Sequence, residues 1–387
     1  MDPQELRAWL RLVLTPRVGL LTARRLLAAL GSPQAVFEAR LEVLTALAGS
    51  REAKALQIEP DALDDHVRAT QDWLLAQDPE AQALGATRAV LSLADERYPT
   101  ALLQADDPPL LVFAQGHLAL LRKPSLAMVG SRHPTPQGAD NARAFARTFS
   151  AADLTVISGL ADGIDGAAHE GALEGLEDSG AGGSTIAVVG TGLDRVYPAK
   201  HRALAHRISR QGLMLSEFAL GTPPLPANFP KRNRIVAALS RGTLVVEAAL
   251  QSGSLITARL ASEMGREVFA IPGSIHAPQA RGCHALIKQG AKLVETAQDV
   301  LDELQWGGAS LLGGESLAAG PWAEAPAEGE VADPVLGAMG FDPVSQDALS
   351  ARTGMGPAEL GARLLALELD GRVARLPGQL FQRVARA

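Results

Sequence analysis

Six short apolar runs, nearly all ending in Gly or Ser and separated by helical stretches, constrain the middle of this chain more than any other feature. They occupy residues 126–129, 154–157, 185–189, 213–215, 244–246 and 268–271. Their apolar character is nearly continuous rather than alternating, as expected of strands covered on both faces of a parallel sheet. Helical segments such as 137–150 and 199–211 lie between them, so residues 84–304 are expected to form a doubly wound α/β sheet. Such sheets bind ligands beyond the carboxyl ends of their strands. The junctions there read Gly130-Ser131-Arg132, Ser158-Gly159, Gly190-Thr191-Gly192, Ser252-Gly253-Ser254 and Pro272-Gly273-Ser274. Glycine admits close backbone approach, and each following helix offers unpaired N–H groups, so the rim is suited to anions.

The motifs narrow which anion that is. No GxxxxGK[ST] occurs, which leaves a Walker-type ATPase without support, and GTGLDR from Gly190 lacks the third glycine of a dinucleotide fingerprint. The segment 228–259 is the most informative. Lys231, Arg232 and Arg234 fall within four positions and are expected to project from the first turn of a helix. Cations there oppose the helix dipole at a cost of a few tenths of a kcal/mol each, which a bound anion offsets. Arg132, at a neighbouring strand end, adds a guanidinium fork for the same anion.

Charge is distributed accordingly. The net charge of −7 is at first sight wrong for a nucleic-acid binder, but residues 195–241 carry nine Lys/Arg against one acid, Glu217. The acids concentrate elsewhere, with five and no base over 305–333, a Gly- and Ala-rich stretch expected to be a flexible linker. Residues 1–80 read as helical, with Leu20, Ala23, Leu26, Leu27 and Leu30 on one stripe. PRVGLLTARRLLAAL loosely resembles a helix-hairpin-helix, although Leu21 stands where its second glycine belongs. Residues 334–387 read as helices over 346–352 and 357–369 and strands over 373–376 and 380–384, a winged-helix pattern. No apolar run reaches the ~18 residues of a membrane span, and the N-terminus has no secretory character, so a cytoplasmic location is expected. The lone Cys283 excludes an internal disulfide and a cysteine-rich zinc site. No cofactor or metal is expected.

Six segments in order resemble the DNA-processing protein A family: VGSRHPTPQG (129–138), SGLADGIDGAAHEGAL (158–173), VVGTGLDRVYP (188–198), SEFALGTPPLPANFPKRNRIVAALS (216–240), VVEAALQSGSLITARLASEMGREVFAIPG (245–273) and the following G-x-H-x-LI-x-x-GA (282–291). The resemblance implies an extended Rossmann fold flanked by a sterile-alpha-motif-like N-terminal domain and a C-terminal winged helix. It implies a non-catalytic, single-stranded-DNA-binding homodimer that loads the RecA recombinase in natural transformation, with single-strand binding protein as a further partner. By position, Gly130, Ser131 and Arg132 look like the family's phosphate pocket, and Lys231, Arg232 and Arg234 like its basic DNA-contact cluster, with Phe229 and Asn233 beside them. Gly159, Ser252, Gly253, Ser254 and Thr257 would complete the pocket floor. Asp162 stands where the family commonly has Arg, and His201 and His284 where it has Asn.

Other residues have plainer readings. His169-Glu170 lacks the second histidine of a zinc helix, and Asp165 is placed to orient His169 through an i, i+4 contact. Glu247, ending a strand beside the pocket, is the most tempting catalytic carboxylate. It supports the rival reading of a nucleoside-monophosphate phosphoribohydrolase, although EAALQSGSLIT lacks the Pro-Gly-Gly-x-Gly-Thr loop of that fold. Scarce aromatic residues, 4% of the chain, favour contacts to the nucleic-acid backbone over base stacking.

Overall fold

The computed structural model describes residues 1–180, 182–275, 277–306, 333–339 and 343–384. All six apolar runs become strands, each within two residues of its expected place. They are β3 (Ser125–Val129), β4 (Thr155–Ser158), β5 (Thr185–Val188), β6 (Leu213–Ser216), β7 (Gly242–Val245) and β8 (Glu267–Ala270). These six are mutually parallel. The short β9 (Lys292–Leu293) continues the parallel sheet beyond β8.

Neither β9 nor the two strands ahead of β3 were foreseen. β1 (Thr87–Ser92) and β2 (Leu111–Gly116) form an antiparallel pair, and β2 docks antiparallel on β6. The nine strands run in the order β1-β2-β6-β5-β4-β3-β7-β8-β9. The chain therefore steps from β3 through β4 and β5 to β6 on one side, then returns to lay β7 against the other flank of β3. That reversal opens a crevice at the carboxyl ends of β3 and β7, where open α/β sheets place their ligands.

Burial explains the continuous apolar character of the strands. Leu126 and Met128 of β3 enter one buried cluster with Phe145 and Phe149 of the helix Pro136–Ala151. Ala127 and Val129 enter another with Ile235 and Val236 of the helix Asn228–Leu239. Successive side chains thus meet helices on opposite faces, leaving no polar position in between.

Six helices between Pro3 and Leu75 make up the N-terminal unit. Its apolar stripe does not close on itself. Trp9, Leu26 and Trp73 share a cluster with Val90, Leu111 and Phe113 of the antiparallel pair, and Trp73 meets Phe113 edge-on at 6.2 Å.

Residues 307–332, most of the expected linker, lie outside the described residues. Its two ends are anchored. Trp306 donates its indole N–H to the Ala152 carbonyl at 2.8 Å, and Asp333 accepts the amide of Val335 at 2.9 Å and is ion-paired to Arg363. The C-terminal unit has helices Gln346–Thr353 and Pro357–Leu369 and an antiparallel pair, β11 (Val373–Leu376) with β12 (Leu380–Arg383). A helix Pro334–Met339 and a short strand, β10 (Val344–Ser345), paired to β12, complete it. This is a winged helix with its own core, built on Leu349, Leu360, Leu364 and Phe381.

Candidate nucleic-acid interface

The loops leaving β3 and β7 are stapled together by Glu247. Its carboxylate accepts the Thr135 amide at 2.9 Å and the Thr135 hydroxyl at 2.5 Å, and its backbone carbonyl accepts the Ser131 amide at 2.7 Å. Thr135 in turn caps the helix Pro136–Ala151 through the Gly138 amide. Burial raises the Glu247 carboxyl above its ordinary range. Both oxygens of this carboxylate hold the loop in place. Gly138 is obligatory beside it, since a Cβ there would lie 2.3 Å from the Glu247 carboxyl carbon.

The three clustered cations separate. Lys231 is exposed, but Arg232 and Arg234 are only 4% and 8% accessible. Arg232 runs inward and donates to the carbonyls of Gly159 and Val188. Its Nε donates to Asn233 Oδ1 at 3.2 Å. Burial lowers its pKa to about 10, and buried Asp165 supplies the opposing charge. A Cβ on Gly159 would fall 2.3 Å from this guanidinium, so that glycine makes room for protein rather than for phosphate. Arg234 is ion-paired to Glu217 and to Asp107, the latter at 3.1 Å. The expectation that all three project together fails for a simple reason. The helix Asn228–Leu239 packs Ile235 and Val236 against the sheet and carries Arg232, three and four residues before them, on that face, while Arg234 is buried in its ion pairs on another side of the helix.

Two cations remain on the rim. Arg132 and Lys231 are exposed, and neither makes a side-chain hydrogen bond or ion pair among the described residues. The Arg132 guanidinium sits 5.8 Å from the centre of the Phe229 ring, within cation–π range. Phe229 also meets Tyr197, centres 5.7 Å apart, and Tyr197 is 49% exposed. The sequence reading missed Tyr197. Its only signal is the Tyr197-Pro198 pair after the Gly190 turn, which composition alone does not reveal. Of the remaining expected floor residues, Gly253 is exposed and Gly130, Ser131 and Ser252 are partly so. Ser254 and Thr257 are buried, with Ser252 and Ser254 hydroxyls 2.6 Å apart.

Asp165 does not orient His169. It accepts the amides of Gly159 and Ala161 at 3.1 and 3.2 Å, closing the turn after β4. Asp162 is ion-paired to Lys200 at 3.0 Å, so this rim gains no negative field from it alone. His201 reaches the Leu160 carbonyl at 3.1 Å and His284 the Gly273 carbonyl at 2.9 Å, each bracing a strand-end turn.

His169 is fully buried, 2.6 Å from Thr185 Oγ1. That hydroxyl donates to the Val156 carbonyl at 2.8 Å, so His169 Nδ1 carries the proton and donates to Thr185. Nε2 is left buried without a partner. Burial lowers the pKa to about 3, so the folded chain holds this ring neutral. Because the folded value lies below the unfolded one of about 6.5, this stabilisation is complete above that pH. It is lost by about 1.4 kcal/mol per unit as pH falls toward 3. Asp165 and Glu247, raised by burial, act with the opposite sign, so the informative quantity is the difference from a variant. Between pH 7 and 5, urea unfolding should cost the native chain about 2 kcal/mol more than it costs His169→Gln. Equal losses in the two proteins would remove the assignment.

Among the described residues no group of three or more His, Cys, Asp or Glu is placed to hold a metal ion, and no helix is long and apolar enough to cross a membrane.

Comparison with known proteins then gives these findings. The model of the family described as DNA recombination-mediator protein A matches residues 89–305, and that of the DprA winged helix domain matches 319–379. Protein Smf of Escherichia coli K12 is 43% identical over 287 residues, spanning 73% of this chain and 74% of that protein. DNA processing protein DprA of Streptococcus pneumoniae R6 is 48% identical over 215 residues, 56% of this chain and 74% of that one. The X-ray structure of the S. pneumoniae protein superimposes with a TM-score of 0.63 at 38% identity, covering 78% of this chain and 98% of that chain. A structure of DNA processing protein A from Helicobacter pylori, described for its single-stranded DNA binding mode, gives 0.50 at 30% identity over 56% of this chain and 95% of that chain.

Proposed function

The chain belongs to the DNA recombination-mediator protein A family, and from that membership we propose that it binds single-stranded DNA along the rim at the carboxyl ends of β3 and β7 and loads the RecA recombinase onto it. The setting is the processing of incoming DNA during natural transformation, in the cytoplasm, by a homodimer that also meets single-strand binding protein. Phosphates lie over the Gly130–Ser131 and Ser252–Gly253 turns, with Arg132 and Lys231 as the cations that neutralise them. The observation that carries this reading is the exposed Arg132 beside the Phe229 ring at the sheet's reversal point, with Lys231 exposed two residues further along that helix, while Arg232 and Arg234 are committed inside the fold. The relative from H. pylori is described for binding single-stranded DNA, which supports the choice of ligand. Phe229 and Tyr197 give the rim an aromatic surface as well, so backbone contacts are joined by a place where a base can lie flat.

The test is fluorescence anisotropy with a labelled single strand and its duplex at about 50 and about 200 mM salt. Single strands should bind more tightly at both concentrations. The log–log slope should be roughly −0.7 per phosphate neutralised. A preference for duplex, or an affinity indifferent to salt, would refute the proposal.

A further inference from the structure

A second hollow, of about 660 Å³, opens in the N-terminal helical unit, on none of the residues that form the nucleic-acid rim. That volume lies in the range of formed ligand sites. It lies where the helices Pro3–Leu14 and Ser50–Leu56 and the turns following them come together. Leu14, Pro16 and Ile58 line it, and Ile58 is 68% exposed.

Three cations, Arg17, Arg51 and Lys54, share the same lining. All are exposed, and none makes a side-chain hydrogen bond or ion pair among the described residues. Against them stand two acids on this lining, Asp61 and Glu59, the latter sharing Arg7 with Asp64. Positive charge is therefore in excess around an apolar hollow. Arg17 lies in the turn that loosely resembles a helix-hairpin-helix, and its φ of 70° places a non-glycine residue in the left-handed region.

We propose that this hollow docks an acidic peptide segment of a protein partner, one whose carboxylates alternate with large apolar side chains. Charge complementarity selects the acids, and the exposed carbon of Ile58 and Leu14 selects the apolar residues. Nucleic acid fits less well. Its phosphates would satisfy the cations but leave the apolar surface wet, and no Phe, Tyr or Trp lines the hollow to receive a base. The partner is thus of a different class from the ligand of the sheet rim, and the two sites can be occupied together.

The test uses the full chain and a fluorescein-labelled peptide of Asp and Glu interleaved with Leu and Trp, read by anisotropy. Binding is expected, weakening as salt rises. The combined Arg51→Ala and Lys54→Ala variant should lose at least tenfold, as should Ile58→Glu, with single-stranded DNA affinity unchanged in both. These three positions are exposed, so the variants should fold, which their thermal melts check. A control peptide with Ser in place of Leu and Trp should bind at least tenfold more weakly. The proposal is overturned if the control binds equally, since charge alone would then suffice. Displacement of the peptide by a short duplex would overturn it too, as would loss of peptide binding in Arg132→Ala, which would put the peptide on the rim. No measurable binding of the probe also ends it. Because peptide binding is read without DNA, failure here and failure of the proposed function are distinguishable.

Discussion

Arg132→Ala combined with Lys231→Ala is expected to weaken binding to every single-stranded oligonucleotide by about a hundredfold or more, with thermal unfolding unchanged. A hydrogen bond to a charged group contributes about 1.5–3 kcal/mol, and one made to phosphate at a partly dry rim falls in that range. Removing two costs about 3–6 kcal/mol, and about 2.8 kcal/mol is already a hundredfold. Stability should not follow, because both side chains are exposed and neither is ion-paired among the described residues. The salt dependence supplies an independent check. With two fewer phosphates neutralised, the log–log slope should become shallower by about 1.4. The loss should be the same for homopolymers and mixed sequences, since phosphate contacts carry no sequence information. A double variant whose Kd stays within about threefold of the parent would mean that the strand is gripped elsewhere.

That prediction names two cations, where the linear pattern suggested four, and the reason is geometric. On a helix each residue advances by about 100°, so neighbours such as Lys231 and Arg232 cannot share a face. One must turn toward the sheet whenever Ile235 and Val236 do, and Arg232 is the one that does. The periodicity was present in the text, but charge density is read along the chain and burial around the helix. The parallel strands were legible because burial on both faces leaves a nearly continuous apolar run. β1 and β2 were harder. They lack a glycine-ended turn leading into a long helix, and their partners, each other and β6, are antiparallel. Glycines were legible as positions without room for a side chain. What fills the room, the Glu247 carboxyl at Gly138 and the Arg232 guanidinium at Gly159, depends on contacts more than 70 positions away. The winged helix was the clearest unit, since its helices, turn glycines and alternating strands are all local signals.

Arg232→Ala should destabilise the fold by about 3–5 kcal/mol, a large part of the ~5–15 kcal/mol that keeps a domain folded. The substitution removes a buried guanidinium and strands what it served. The carbonyls of Gly159 and Val188 lose their donor, and the Asp165 carboxylate loses the charge that favours its ionised form. Leaving a buried acceptor unsatisfied costs about 1–3 kcal/mol by itself. This variant would also fail to bind DNA, and a simple assay would then mistake a structural residue for a contact. A second substitution separates the two. Arg232→Met with Asp165→Asn removes both buried charges, keeps an oxygen to accept the Gly159 and Ala161 amides, and fills the channel with a chain of similar length. It should recover part of the lost stability in urea unfolding, since the carbonyls of Gly159 and Val188 still lack a donor, and bind single-stranded DNA within a few-fold of the parent. A double variant that melts normally but has lost the DNA would make Arg232 a direct contact, reached by a movement that exposes it. One no more stable than Arg232→Ala would show that Asp165 is not the partner whose charge Arg232 balances.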